Sequence, residues 1–481
     1  MLFNSFAFLL FFPIVCLLYF TIPPRFRNYF LLIASYYFYM NWEPVYAVLI
    51  LFSTIITWCC ALFIEKTEKQ RNKKFILTIC LLLNLSILFL FKYANFINNS
   101  VESLLEFFHL KIDIPEFHLL LPVGISFYTF QAIGYTIDVY RKTIKAEKNI
   151  FTYALFVSFF PQLVAGPIER AKNLLPQFYK IQKTDYVRIT QGLKLMLWGY
   201  FMKVVVADRL AIYVDAVYDN PGSHSGITLI IATVFFAFQI YCDFGGYSNI
   251  AIGCAKVMGF DLMTNFKRPY LATDISDFWH RWHISLSTWF RDYLYIPLGG
   301  NRCGTSRNYF NLMCTFIISG IWHGANWTFV IWGTLNGAYQ VLEKIFKSRR
   351  TKYIKIKENF RNSKIIHFSR VIFTFILICF SWIFFRANNV NEAFLIIKRI
   401  FTARGNLFIK DPENAIIPLT LGTFAIIILL LSDILQEYHT GRNTFLDHKK
   451  RAVRYASYLS IVIMILIVGV FDNSQFIYFQ F

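Results

Sequence analysis

The stretch Ile317-Ile318-Ser319-Gly320-Ile321-Trp322-His323-Gly324-Ala325-Asn326-Trp327 decides how this chain is read. A histidine sits within an apolar run where water is scarce. Ionisable groups at membrane depth are costly and face a cavity or a pathway. A second polar cluster, Asp277-Phe278-Trp279-His280-Arg281-Trp282-His283-Ile284-Ser285, lies upstream and is again bounded by hydrophobic sequence. The chain gathers its buried proton chemistry at these two places.

The surrounding sequence is that of a membrane protein. Of 481 residues, 56% are hydrophobic and 19% aromatic, with a mean hydropathy of +0.47. Apolar runs recur near 3–22, 28–41, 44–64, 75–96, 119–140, 188–208, 227–244, 308–322, 325–345, 366–386, 415–433 and 452–472. Each approaches the roughly 20 residues that cross a bilayer as a helix. About a dozen transmembrane helices are expected, forming one all-α polytopic domain over 1–481 with an aromatic tail at 473–481. Segments near 150–168, 245–260 and 278–296 are apolar but broken by Gly, Pro and charges. They suit re-entrant or tilted helices buried in protein. The N-terminal run lacks a basic leader and a small-residue cleavage site, so it reads as a first span rather than a signal peptide.

The net charge of +20 follows the positive-inside pattern. Basic residues collect at Arg25 and Arg27, Lys66 to Lys74, Arg141 to Lys148, Arg170 to Arg188, Lys347 to Lys364 and Arg442 to Arg454. The intervening loops hold Glu102, Glu106, Asp113, Glu116, Asp215 and Asp219. The two sets alternate if 150–168 dips in and returns, which places both termini outside the cytoplasm. No basic loop is interleaved with a base-stacking platform, so nucleic acid is not an expected partner. The nine cysteines sit mostly in apolar segments and show no C-x-x-C spacing, so they read as small buried hydrophobes rather than a disulfide or zinc framework. Residues 390–402 read as an interfacial amphipathic helix. No large polar domain is present, so chemistry on a bulky extracellular polymer calls for a separate partner.

The polar clusters supply the candidate site. For His323 the plain alternative is a histidine bonded between helices. Its neighbours favour chemistry: Trp322 and Trp327 as walls, Gly320 and Gly324 for close backbone approach, and Asn326 as a polar partner. A neutral imidazole in a dry pocket can take a proton from a hydroxyl and return it to a leaving group. In 277–302, Asp277, His280, Arg281, His283, Ser285, Ser287, Arg291, Asp292, Asn301 and Arg302 lie among Trp279, Trp282, Trp289, Tyr293 and Tyr295. On a continuous helix, Asp277, Arg281 and Ser285 share one face, and His280 and His283 share another. Three nitrogens from His280, His283 and His323 raise the thought of zinc. The spacing matches no zinc pattern and no carboxylate or thiol is committed, so no metal is expected. Further polar candidates are Gln239, Tyr241, Asp243 and Tyr247, beside Gly245-Gly246, whose paired glycines are expected to break a helix; the dull reading is a kink. Pro161 to Arg170 reads as a re-entrant turn.

Taken in order, Pro122-Val123-Gly124-Ile125-Ser126-Phe127, Gly166-Pro167-Ile168, Asp243-Phe244-Gly245-Gly246-Tyr247-Ser248, Phe278-Trp279-His280-Arg281-Trp282-His283-Ile284-Ser285-Leu286-Ser287, Arg291-Asp292-Tyr293-Leu294-Tyr295-Ile296-Pro297-Leu298-Gly299-Gly300-Asn301-Arg302 and Trp322-His323-Gly324 resemble the membrane-bound O-acyltransferase superfamily. Within it the chain looks like the bacterial branch that acetylates alginate and peptidoglycan. The family pattern more often has Arg or Asn at His280, Phe at Cys242 and Ser at Gly245. The resemblance implies a fold around a tunnel open to both membrane faces, with an acyl donor entering from the cytoplasm and an acceptor from outside. It implies that His323 is the catalytic histidine and that His283 holds the second polar position. It also implies acetyl-CoA as a substrate donor with no resident cofactor, a periplasmic serine-type acetyltransferase as partner, and residence in the bacterial inner (cytoplasmic) membrane.

The chain ends Asp472-Asn473-Ser474-Gln475-Phe476-Ile477-Tyr478-Phe479-Gln480-Phe481. An interfacial aromatic belt is the dull explanation. The ending also resembles the C-terminal tyrosine motif of the small companion protein in teichoic-acid D-alanylation. That likeness implies Tyr478 as an acyl relay, activated when a base such as His323 takes its phenolic proton. The expected catalytic set is His323, His283 and Tyr478. The expected substrate-binding set is Gln239, Tyr241, Asp243, Tyr247, Asp277, Arg281, Trp282, Ser285, Trp289, Arg291, Asn301, Trp322 and Asn326. A competing class is a transporter that moves an acyl donor or lipid-linked sugar without making a bond, though the inverted repeats common in transporters are absent. A third is a scaffold that only docks a periplasmic partner.

Overall fold

The computed structural model describes residues 1–110, 120–164, 166–353, 364–440 and 445–471, together with 115, 117 and 477. Among them the regular structure is entirely helical. Every apolar run expected to span carries a helix. Six helical stretches are long and apolar enough to cross a membrane: Pro44–Lys66, Gln70–Phe107, Gly226–Met258, Lys364–Arg386, Glu413–Tyr438 and Arg451–Val468. Phe6–Thr21 is apolar but shorter. Its outward residues Phe6, Leu9, Leu10, Ile14 and Leu17 are exposed hydrophobics, as are Leu459, Leu466 and Ile467 of Arg451–Val468. Such continuous apolar surface suits lipid rather than water. The chain is a multi-pass membrane protein.

The helices group into two compact units, each discontinuous in sequence. The first comprises Met1–Met196 and Ile250–Met263. In it, Ile125–Tyr140 packs against Ala47–Lys66 and Gln70–Leu88, and is buried over most of its length. Buried polar side chains tie these helices together. Ser53 bonds Asn84 at 2.6 Å, Thr57 bonds the Tyr153 hydroxyl at 2.7 Å, and Gln131 donates to the Phe156 carbonyl at 2.6 Å. Gly124 adopts φ 74°, and a Cβ there would meet the Leu163 carbonyl at 2.7 Å. Only glycine suits that combination of left-handed backbone and close approach. The stretch expected to re-enter carries two short helices, Ile150–Ser158 and Phe160–Leu163, buried from Thr152 to Leu163.

The second unit comprises Leu197–Asn249 and Thr264–Ile477. Its main hairpin is Thr305–His323 against Trp327–Tyr353. The two helices meet at Gly320 and Gly333, where an added Cβ would run into the opposing backbone carbonyls of Phe329 and Phe316. The amphipathic helix expected at 390–402 is present as Val390–Thr402, capped by the Asn389 side chain at 2.9 Å from the Glu392 amide.

Two local expectations are corrected. Gly245 and Gly246 do not break the chain; they lie inside the 33-residue helix Gly226–Met258. A Cβ on Gly246 would meet the Gly199 carbonyl at 2.7 Å and the Lys203 nitrogen at 3.0 Å. Tight packing thus outweighs the ~1 kcal/mol that a helix-interior glycine costs. Residues 275–290 are not one helix either. Ile275–Arg281 ends, and Ile284–Phe290 begins after His283 in a left-handed conformation, φ 42°. The shared faces expected of Arg281 with Ser285, and of His280 with His283, are lost at that break. Only the Asp277–Arg281 pair survives, at 2.8 Å.

Candidate active site

The break at His283 is what builds the site. A helix passing straight through would align His283 with its neighbours. The left-handed turn instead leaves the imidazole buried, at 1% exposure, edge-on to Phe244 at 4.6 Å between ring centres. Asn265 holds it there. The Asn265 side-chain oxygen faces His283 Nδ1 at 3.1 Å, the Ser285 hydroxyl at 3.0 Å and the Ser285 backbone N–H at 3.3 Å. The Asn265 amide nitrogen donates to the Ser248 hydroxyl at 3.2 Å.

This network sets the tautomer of His283. A backbone N–H can only donate, so the Asn265 atom facing Ser285 is the oxygen. An oxygen can only accept, so His283 Nδ1 carries the hydrogen and Nε2 carries the lone pair in the neutral ring. A neutral His283 in this state accepts a hydrogen bond at Nε2 and has none to donate there.

His323 closes the helix Thr305–His323. It is 3% exposed and packs against Trp322 at 4.9 Å, Trp332 at 5.0 Å and Phe385 at 5.4 Å between ring centres. The His283 and His323 rings lie 6.4 Å apart. Both line a cavity of about 330 Å³. Its wall comes from two helical faces and the broken segment. Leu312, Thr315, Phe316, Ser319 and His323 follow one face of Thr305–His323, and Gln340 and Lys344 follow Trp327–Tyr353. Ser276, Trp279, His280, Leu286, Ser287, Phe290, Arg291, Tyr295 and Asn301 complete it. The chamber is apolar in the main, with polar groups converging on a few points, the usual character of a small-molecule site.

Of the residues expected at the site, the structure brings His283, His323, Arg291 and Asn301 to this cavity, together with His280 and Ser287. The others have structural partners. Asp277 accepts from Thr273 and pairs with Arg281, which also binds Glu437 at 2.9 Å. Trp282 stacks on Phe278 and packs against Trp382 at 5.1 Å. Ser285 serves Asn265, and Trp289 packs on Phe290 and Tyr293. Tyr241 donates to Asp433 at 3.2 Å, and Asp243 pairs with Lys203. Gln239 and Tyr247 are buried in Gly226–Met258 and, like Trp322, are not in the cavity wall. Trp327 is exposed rather than a wall; Trp332 and Phe385 do that work. Asn326 is no partner of His323: its amide donates to the Asn388 carbonyl at 2.8 Å and its oxygen accepts from Thr328 at 3.0 Å, capping the next helix. Gly324 does allow close approach, since a Cβ there would strike the Phe329 ring. Among the described residues, no group of three or more His, Cys, Asp or Glu is placed to hold a metal ion. Tyr478 lies outside the described residues.

Asn265, Gln340 and Lys344 were not singled out from the sequence, and Trp279 and Tyr295 were named there only as aromatic surroundings of the polar cluster. For Gln340 and Lys344 a signal existed: Asn336, Gln340 and Lys344 recur every four residues, marking a polar stripe on one helix face.

The helix Ile275–Arg281, which gives Ser276, Trp279 and His280 to the wall, is pinned by charge. Asp274 caps Ile275–Arg281 at 2.9 Å from the Asp277 amide and meets Lys347 at 3.1 Å and Arg370 at 3.2 Å. Burial works against the Asp274 carboxylate. The amide and the two cations outweigh it and hold the group below its ordinary value.

Residues 146–387, which contain both histidines and the entire cavity wall, match the model of the membrane-bound O-acyltransferase family. The chain belongs to the membrane-bound O-acyltransferase family. It is 36% identical to the probable alginate O-acetylase AlgI of Pseudomonas putida, with both chains covered in full. It is 38% identical to the probable alginate O-acetylase AlgI of Azotobacter vinelandii over 86% of this chain and 81% of that one. It is 36% identical to the peptidoglycan O-acetyltransferase of Helicobacter pylori over 84% of this chain and 80% of that one. This membrane-bound O-acyltransferase is therefore an enzyme of acyl transfer, and a passive transporter or scaffold is set aside.

Proposed function

We propose that this acyltransferase takes acetyl from acetyl-CoA on the cytoplasmic side of a bacterial inner membrane and passes it outward through Tyr478. A periplasmic serine-type acetyltransferase then places it on a cell-surface polysaccharide of the alginate or peptidoglycan kind. The relatives' names support acetyl and polysaccharide as the groups handled. The observation that carries the chemistry is that two buried imidazoles face one cavity.

In the reaction, His323 takes the proton of the Tyr478 hydroxyl as its oxygen attacks the thioester carbonyl. The C–S bond breaks, the thiolate leaves, and His323 returns the proton to sulfur. The acetyl group is then an ester on Tyr478. His283, held as the Nδ1–H tautomer, lends its Nε2 lone pair to the same space and orients the incoming hydroxyl or the His323 ring. Polarising the thioester carbonyl is a role it can fill only when protonated, because the neutral ring has no hydrogen at Nε2. Arg291 and Lys344 in the wall offer positive charge to the donor's phosphates.

A second reading exchanges the histidines and makes His283 the base. The Asn265–Ser285 network favours it, since the network presents a fixed lone pair. One experiment separates the readings. Purified His323→Ala and His283→Ala are incubated with acetyl-CoA, and the intact mass of the chain is followed in a single turnover. The principal reading requires no acetyl adduct from His323→Ala and a slow one from His283→Ala. The reverse order selects the second reading. Adducts at the wild-type rate from both remove the site. Tyr478→Phe tests the relay, and an acetyl adduct on that variant at the wild-type level rejects it.

A further inference from the structure

Away from the cavity, the second unit contains a buried charge cluster that acyl transfer does not use. Lys203 is 2% exposed and lies 2.8 Å from Asp208 and 2.5 Å from Asp243. One carboxylate suffices to neutralise a buried ammonium, and Asp208 already supplies it. Burying a second one is costly unless its oxygens have work elsewhere. Asp243 has such work. Its Oδ1 meets Lys203, and its Oδ2 accepts the backbone N–H of Ile477 at 2.7 Å. Ile477 is 4% exposed.

The same cluster grips the chain at two further points. Lys203 belongs to the π-helical turn Phe201–Ala207. A π turn shifts backbone pairing by one residue and releases a carbonyl. The Val204 carbonyl accepts the N–H of Val470 at 3.0 Å. Arg209, one residue past Asp208, donates to the Val468 carbonyl at 2.5 Å. Asp243, Val204 and Arg209 thus contact backbone groups at the end of Arg451–Val468 and beyond it.

We propose that Asp243, anchored by Lys203, is a latch for the enzyme's own C-terminal segment, gripping it at the Ile477 amide one residue before Tyr478. Backbone contacts fix register without depending on the side chains of the tail. Asp243 is a positioning residue in this role. Its consequence for acetyl delivery rests on the Tyr478 relay; the latch itself does not.

The test uses the full-length chain in detergent and reads how fast chymotrypsin cuts after Phe471, a site identical in every variant. Asp243→Ala removes the acceptor and leaves a balanced Lys203–Asp208 pair. Ile477→Pro removes the donor and leaves the charge cluster untouched. Both are expected to be cut about tenfold faster than wild type, the scale of one lost hydrogen bond to a charged group. Asp243→Asn keeps an oxygen for the amide and is cut more slowly than Asp243→Ala. Wild-type cleavage in Ile477→Pro overturns the latch, and because that substitution leaves Lys203, Asp208 and Asp243 unchanged, misfolding of Asp243→Ala does not obscure the result. Tyr478 acetylation is read from the same samples. Should wild-type protein never acetylate Tyr478, the relay falls while the cleavage ratios still decide the latch.

Discussion

The imidazole rings of His283 and His323 stand 6.4 Å apart with an angle of 59° between their planes, both opening on one chamber. A reacting group of a few atoms can touch both. The two reach it differently: His323 lies on the helix face that carries Thr315, Phe316 and Ser319, and His283 interrupts a helix.

If His323 is the base, His323→Ala lowers acetyl transfer by about 10²–10⁴-fold, the usual range for losing a positioned general base. Steady-state release of CoA thiol measures this. A loss under threefold would mean that the ring is a packing residue.

Asn265→Leu removes the acceptor that fixes the His283 tautomer. Activity should fall by roughly 10–100-fold, the usual cost of deleting an orienting partner of a working histidine. Asn265→Asp keeps an oxygen toward Nδ1 and should recover part of it. The comparison is made on kcat at saturating donor. Equal loss in both variants would point to general disruption of the buried core.

Gly246→Ala places a methyl against the Gly199 carbonyl and the Lys203 backbone. Overpacking against fixed backbone costs about 1–3 kcal/mol. A lowered unfolding temperature in detergent is expected, whereas an unchanged one would show that the helices can separate at no cost.

Asp274 yields a prediction with a definite sign. Its folded-state pKa is depressed, so its stabilising contribution is complete at neutral pH and is lost as pH falls through the unfolded and then the folded value. Asp274→Ala should cost about 1 kcal/mol at pH 7, the worth of a helix cap. The cost should shrink near pH 2, below the ordinary carboxylate range. Thermal melts of both proteins at the two pH values check this, and a pH-independent difference would contradict it.

Much of this was legible in the sequence, for identifiable reasons. Spanning helices show as apolar runs because lipid leaves the backbone no alternative. His283, His323 and Arg291 stood out because charge amid hydrocarbon is rare. The break at Trp282–His283 was not legible, since nothing local forces a left-handed histidine; Asn265 imposes it from outside the segment. Gly245-Gly246 misled because a glycine pair breaks a helix in isolation but in a packed interior admits a neighbour. Asn326 misled because it sits three residues after His323 along the chain, and the helix end between them directs it elsewhere. The latch at Ile477 was out of reach of any local pattern, as it joins residues 234 apart.

The most direct test of the central claim is a single-turnover measurement of acetyl leaving acetyl-CoA in purified enzyme, wild type against the double variant His283→Ala/His323→Ala. The two-histidine site predicts a rapid phase in wild type and none in the double variant. A rapid phase of equal rate in both would contradict it.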